Sequence, residues 1–119
     1  MAALEDHLID LVKNSFVAID QQTAALATAT KAAQAQRHHV VCKVDASYSS
    51  SSQSGELVVK FGTTVVARKH IHGAGALDFG IYGFQNPTVN TAVSAELAAG
   101  AGGIVGDVAL TGYTTGPNF

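Results

Sequence analysis

The chain has 119 residues, seven Lys and Arg against nine Asp and Glu, and a formal net charge of -2. That length holds one domain, and that charge offers no basic footprint for nucleic acid. Hydrophobic residues make up 47% of the chain and charged residues only 13%, which excludes a disordered chain and implies a surface that other chains cover.

The first residues, among them Glu5 and Asp6, are acidic where a signal peptide is basic. Asp10, Lys13 and Asp20 interrupt the apolar runs, so no membrane-spanning helix is expected. From residue 4 to residue 36 there is neither glycine nor proline, and alanine, leucine, glutamine and lysine dominate the second half. Those are helix formers. Acidic residues at the start, with Lys31 and Arg37 at the end, complement a helix dipole. Apolar or small residues recur in steps of three and four at Ile9, Val12, Phe16, Ile19, Thr23, Leu26, Thr30 and Ala33, the spacing of a heptad seam. The spacing predicts one long helix. At about 1.5 Å per residue it would span roughly 48 Å, longer than the roughly 30 Å diameter of the remaining domain. Either the helix breaks around Gln21 and Gln22 or, the favoured reading, its apolar face packs on other chains, with Ile9, Val12, Phe16, Ile19 and Leu26 as the oligomer interface.

After Arg37 the hydrophobic period changes to two. Val40, Cys42 and Val44 alternate with Val41, Lys43 and Asp45, which places Cys42 on a core face. Residues 47–54 read as a flexible, serine-rich connection. Leu57, Val59 and Phe61 alternate with Val58 and Lys60, and Gly62 and Thr63 then turn the chain into the β-branched run from Thr64. A simple two-residue turn would pair Glu56 with Lys69. Further strands are predicted at 77–81, 90–99 and 104–113, separated by glycine clusters at 73–75 and 100–103. The expected fold class is mainly β with one long N-terminal α-helix: residues 1–37 form a helical oligomerisation segment, and residues 38–119 an antiparallel, jelly-roll-like β-sandwich.

No constellation carries catalytic chemistry. The stretch GAGGIVG (residues 100–106) has Val105 where a dinucleotide loop needs its third glycine, and it leads into a strand. His70 and His72 share a strand face, and His38 and His39 precede the first strand of the sandwich, but no Cys or carboxylate stands at ligand spacing. A core-facing Cys42 is a small hydrophobe, not a nucleophile. The serine run lacks a nucleophile elbow or a positioned base. No catalytic, cofactor-binding or metal-binding residue is assigned, no cofactor is expected, and the chain is expected not to be an enzyme. Tyr82, Phe84 and Tyr113 are the candidate exposed aromatics that would mark a binding module instead.

Few charges, many Ser, Thr, Gly and Ala residues, and the segments GELVVKFGTT (residues 55–64) and NTAVSAELAA (residues 90–99) resemble small bacteriophage virion structural proteins. The resemblance covers residues 55–113 and transfers no functional residue. It implies a homo-oligomeric, trimeric decoration, spike or fibre component on the capsid or neck, located in the virion and assembled in the host cytoplasm. Its partners would be copies of itself and other virion proteins such as the major capsid protein, with neither nucleic acid nor membrane. The alternative is a β-sandwich module of a tail fibre that binds carbohydrate or a host surface.

Overall fold

The computed structural model describes residues 15–115, and every element within them is a strand. In chain order these are β1 (Ser15–Thr23), β2 (Ala27–Lys31), β3 (His38–Tyr48), β4 (Ser54–Phe61), β5 (Thr64–His72), β6 (Ala74–Asp78), β7 (Phe84–Gln85), β8 (Val93–Leu97) and β9 (Val105–Thr115). All pairings are antiparallel. The order β1-β9-β3-β6 makes one sheet and β5-β4-β8-β2 the other, and they meet at a corner where His72 pairs with Ala74. Six connections cross between the sheets, which is the winding of a jelly roll. The short β7 continues the line of β6 alongside β3.

The long N-terminal helix is overturned: among the described residues there is no helix. Residues 15–31 instead supply β1 and β2, strands of the same sandwich as residues 38–115, and the expected packing of a helix seam in an oligomer goes with it. Residues 4–14 of the predicted helix lie outside the described residues. Burial explains why helix propensity lost. Ala27 and Ala29 are fully buried while Thr28 and Thr30 face outward, and Ala29 sits opposite the equally buried Ala95. Both alanines point into the core between the sheets, and such tertiary packing overrides a weak backbone preference.

The core lies between the sheets. Leu57, Val59 and Phe61 from β4 and Val93, Ala95 and Leu97 from β8 meet Val41, Val44, Val108 and Leu110 from the opposite sheet. Burying each large side chain contributes about 1.5–3 kcal/mol. The crossing from β1 to β2 is pinned by polar groups. Ala24 N donates to Ile104 O at 3.0 Å, and Thr28 N donates to an Asp20 carboxylate oxygen at 2.8 Å.

Two bulges correct the predicted alternation. In β3 the register shifts between Val41 and Lys43, so Val41 and Val44 face the core and Cys42 falls in the irregular position. Cys42 is half-buried and its thiol lies 3.7 Å from Ile81 O, away from the inter-sheet core. In the β4–β5 hairpin the turn is the expected Gly62 and Thr63, with Phe61 opposite Thr64. A bulge beside Lys60 then moves the register by one, so that Glu56 pairs with His70 and reaches Arg68 at 3.2 Å. The predicted strand at 77–81 ends early. Gly80 N bonds to Asp78 Oδ1 at 2.9 Å, and Ile81 is exposed in the turn that follows.

Candidate functional site

Strand parity separates the residues proposed as an interface. Ile9 and Val12 lie outside the described residues. Phe16 faces inward on β1, half-buried, with its ring edge-on to His39 at 5.8 Å and Lys31 Nζ 5.4 Å from its centroid. Ile19, three residues on, faces outward and is 70% exposed. Leu26 stands in the β1–β2 connection, 52% exposed. Among the described residues, the structure does not bring Phe16, Ile19 and Leu26 together as a stripe. It gives Ile19 a different neighbour, Val17, which shares its face and is 64% exposed. Two β-branched residues spaced two apart within the run SFVAIDQQT were the available signal.

Val17 and Ile19 belong to the outer face of the first sheet. Across it run three registered rows: Val17, Thr111, Lys43 and Asp78; Ile19, Ala109, Asp45 and Ala76; then Gln21, Asp107, Ser47 and Ala74. Alanine and serine in the middle strands keep the surface low, and an open hollow of about 590 Å³ lies over it between Ile19 and Asp45. Its carboxylates are Asp45, which Lys43 approaches at 3.6 Å, and Asp107. At the edge, β1 pairs only with β9 among the described strands, so the backbone groups on its far side have no strand partner there. A nine-residue edge with two exposed β-branched side chains is a template for another chain.

The other end of the same face is covered. Val40 and Tyr113 lie opposite each other in register and are both buried, beneath the segment 79–85. Tyr113 Oη donates to Tyr82 O at 3.3 Å, so Tyr113 is a buried anchor and not the exposed aromatic expected. Gly83 lets this segment lie down. Its φ is +68°, and a Cβ there would press on Val40 and the Val41 carbonyl. The next residue, Phe84, is 42% exposed, and Tyr82 is 63% exposed.

Phe84 forms one wall of a second hollow, about 440 Å³, between the β4–β5 turn and the residues after β7. Phe61 and Phe79 hold its ring at centroid distances of 5.5 and 5.8 Å. Asn86, which also lines the hollow, is 1% exposed and heavily tied: its N donates to His39 O at 2.9 Å and its Oδ1 accepts from Thr88 N at 3.0 Å. Its carbonyl lies 2.6 Å from His38 Nδ1. The remaining group, Asn86 Nδ2, is buried without an acceptor. A buried donor left in that state costs about 1–3 kcal/mol.

The histidines divide by environment. His39 is fully buried, with Nε2 2.7 Å from Ala32 O and Nδ1 2.9 Å from Thr114 Oγ1. A carbonyl can only accept, so Nε2 carries the proton and the Thr114 hydroxyl donates to Nδ1. Desolvation lowers the pKa of this imidazole below the ordinary value. His70 and His72 are exposed on β5. Among the described residues no group of three or more His, Cys, Asp or Glu converges as a metal site would require. The Cys42 thiol has its pKa raised, chiefly by burial and then by the nearby Asp78 charge.

No family model matches the chain, and no curated protein matches it in sequence. Among solved structures it is similar to the insecticidal delta-endotoxin Cry8Ea1 of Bacillus thuringiensis, at 10% identity and a TM-score of 0.44 over 82% of this chain and 19% of the toxin. It is similar to the CBM32 of AlyQ in complex with 4,5-unsaturated mannuronic acid, at 10% identity and 0.45 over 77% of this chain and 75% of that one. It is also similar to a chain of the acidic stable capsid of Helicobacter pylori bacteriophage KHP30, at 13% identity and 0.43 over 87% of this chain and 94% of that one. The chain thus spans less than a fifth of the toxin's length.

Proposed function

We propose that this chain is a non-enzymatic structural protein of a bacteriophage virion, which works by assembling with copies of itself and with neighbouring virion proteins such as the major capsid protein. The observation that carries the reading is the outer face of β1 and its far edge, which has no partner among the described strands, where Val17 and Ile19 stand 64% and 70% exposed beside a low, alanine-lined surface. Side chains of that kind contribute about 1.5–3 kcal/mol each when covered, and an edge strand adds a row of backbone hydrogen bonds. The virion setting is supported by the low charge content and the small-residue texture of the strands. Closed symmetry favours a twofold dimer through paired β1 edges or a trimer through a ring of β1 faces.

Light scattering on the purified chain tests this. The parent is expected to show an oligomer mass, and Val17→Lys/Ile19→Lys a monomer mass with the sheet signal in circular dichroism unchanged. A parent that is monomeric at every concentration up to hundreds of micromolar overturns the reading.

A second reading, recognition of a carbohydrate or a host surface, is favoured by one observation. Tyr82 and Phe84 stand exposed in a single short segment at one end of the sandwich.

A further inference from the structure

We propose that the hollow between the β4–β5 turn and residues 84–91 is a binding site for one neutral sugar unit. This rests on the recognition reading and is independent of assembly through β1, because no β1 residue lines the hollow. Its size falls within the range of small-ligand sites.

The lining selects the chemistry. Phe61, Val66, Phe84 and Pro87 give an apolar wall, and Phe84 is held by two neighbouring rings while keeping 42% of its surface open. A ring fixed in this way offers a flat platform to the C–H face of a pyranose without losing side-chain freedom on binding. Four threonines, Thr63, Thr64, Thr88 and Thr91, complete the lining. A hydroxyl both donates and accepts, so it matches the hydroxyls of a sugar whichever way they point. None of the lining residues carries a charge. That favours a neutral sugar over a uronic acid, a sialic acid or a phosphate, each of which needs a cation or a cluster of N–H donors.

Asn86 supplies the observation that points to a ligand rather than to a chance surface dip. Its backbone N, its carbonyl and its Oδ1 are all engaged, which fixes the side chain and leaves Nδ2 as a donor without an acceptor. A buried unpaired donor in a folded protein calls for an explanation. Asn86 lines the hollow, and a small displacement of the atoms over Nδ2 on binding would let a sugar oxygen provide the missing acceptor. Gly83 is a positioning residue here, since its backbone conformation and its close approach to β3 set Phe84 over the hollow.

The test is binding of the whole chain to immobilised neutral oligosaccharides (cello-, manno- and N-acetylchito-oligomers), with oligogalacturonate as the charged comparison. Amide NMR of the labelled chain accompanies it. The expected result is binding of at least one neutral series, a shift of the Asn86 side-chain amide on titration, and a loss of affinity of about tenfold in Phe84→Ala. Thr63→Val, a milder change in an exposed turn, should weaken binding while leaving the spectrum of the core unchanged. Neutral sugar binding that neither variant alters, with no Asn86 shift, overturns the site but keeps recognition. Binding of oligogalacturonate alone overturns the neutral-sugar assignment. Binding of no saccharide at millimolar concentration overturns both the site and the recognition reading for glycans.

Discussion

Burial holds the His39 imidazole neutral in the fold, with its pKa below the ordinary 6.5. Between that lowered value and 6.5 the unfolded chain binds the proton that the folded chain refuses. Stability therefore rises with pH across this window and is lost as pH falls through it. Denaturant midpoints measured from pH 7.5 to pH 5 should decline, and His39→Gln should flatten that slope whatever its effect at neutral pH. Asp20 acts lower down. The backbone bond from Thr28 lowers its carboxyl pKa from 3.8, so its contribution to the β1–β2 crossing is present above about pH 4 and disappears as pH falls through the lowered value. Cys42 offers a separate check. With its thiol pKa raised by burial and by Asp78, alkylation by iodoacetamide at pH 8 should run slower in the folded chain than in the denatured one. Equal rates would contradict that environment. The sequence placed Cys42 in the core because a bulge leaves no mark on simple alternation. The strand was legible, but the irregular residue within it was not.

Element boundaries followed the same logic. In β4, β8 and β9 the buried residues Leu57, Val59, Val93, Ala95, Leu97, Val108 and Leu110 alternate with half-buried ones, and those strands were readable from period two alone. The turn at Gly62 and Thr63 was readable too. In β1 and β2 two patterns compete. Phe16 and Ile19 fit a helical seam, while the alternation Ala27, Thr28, Ala29, Thr30 fits a strand. Without glycine or proline to punctuate it, the Ala-rich run favoured the helix. What decided otherwise was long-range: β1 lies against β9 and β2 against β8, some ninety and seventy residues away in the chain by their paired positions. The serine-rich connection shows a similar gap. Ser49 N donates to Val105 O at 2.8 Å, Val105 N donates to Ser49 Oγ at 2.9 Å, and Gly73 N donates to Gln53 O at 2.7 Å, so the segment is tied to two other connections. Gly112 marks where β9 comes closest to β3. A Cβ there would overlap the Val40 carbonyl and crowd Phe16. Gly112→Ala should therefore destabilise the sandwich by about 1–3 kcal/mol in denaturant titration. A change within a few tenths would mean that β9 and β3 can separate at no cost.

At the scale of the whole molecule, the two sheets bury their inner faces against each other, but their outer faces meet different conditions. Segment 79–85 covers one end of the first sheet, over Val40 and Tyr113, and leaves the β1 end open. Low overall charge and exposed Val17 and Ile19 at that open end suit a surface completed by another copy. The second hollow, with Phe84 and Asn86, lies at the end where the β4–β5 turn meets residues 84–91, so assembly and recognition would occupy separate regions of one sandwich. Each region was legible only in part: Phe84, a wall of the second hollow, was named as an exposed aromatic of a binding module. Ile19 was named, but for a helical face, and Asn86 carries no sequence pattern that distinguishes it from other loop asparagines. The measurement that bears most directly on assembly is hydrogen exchange of the β1 amides that point away from β9, followed as the chain is diluted. Pairing or coverage by a second copy predicts slow exchange at high concentration, a rise on dilution through the dissociation midpoint, and fast exchange throughout in Val17→Lys/Ile19→Lys. Fast exchange of those amides at every concentration, in parent and variant alike, would contradict the account.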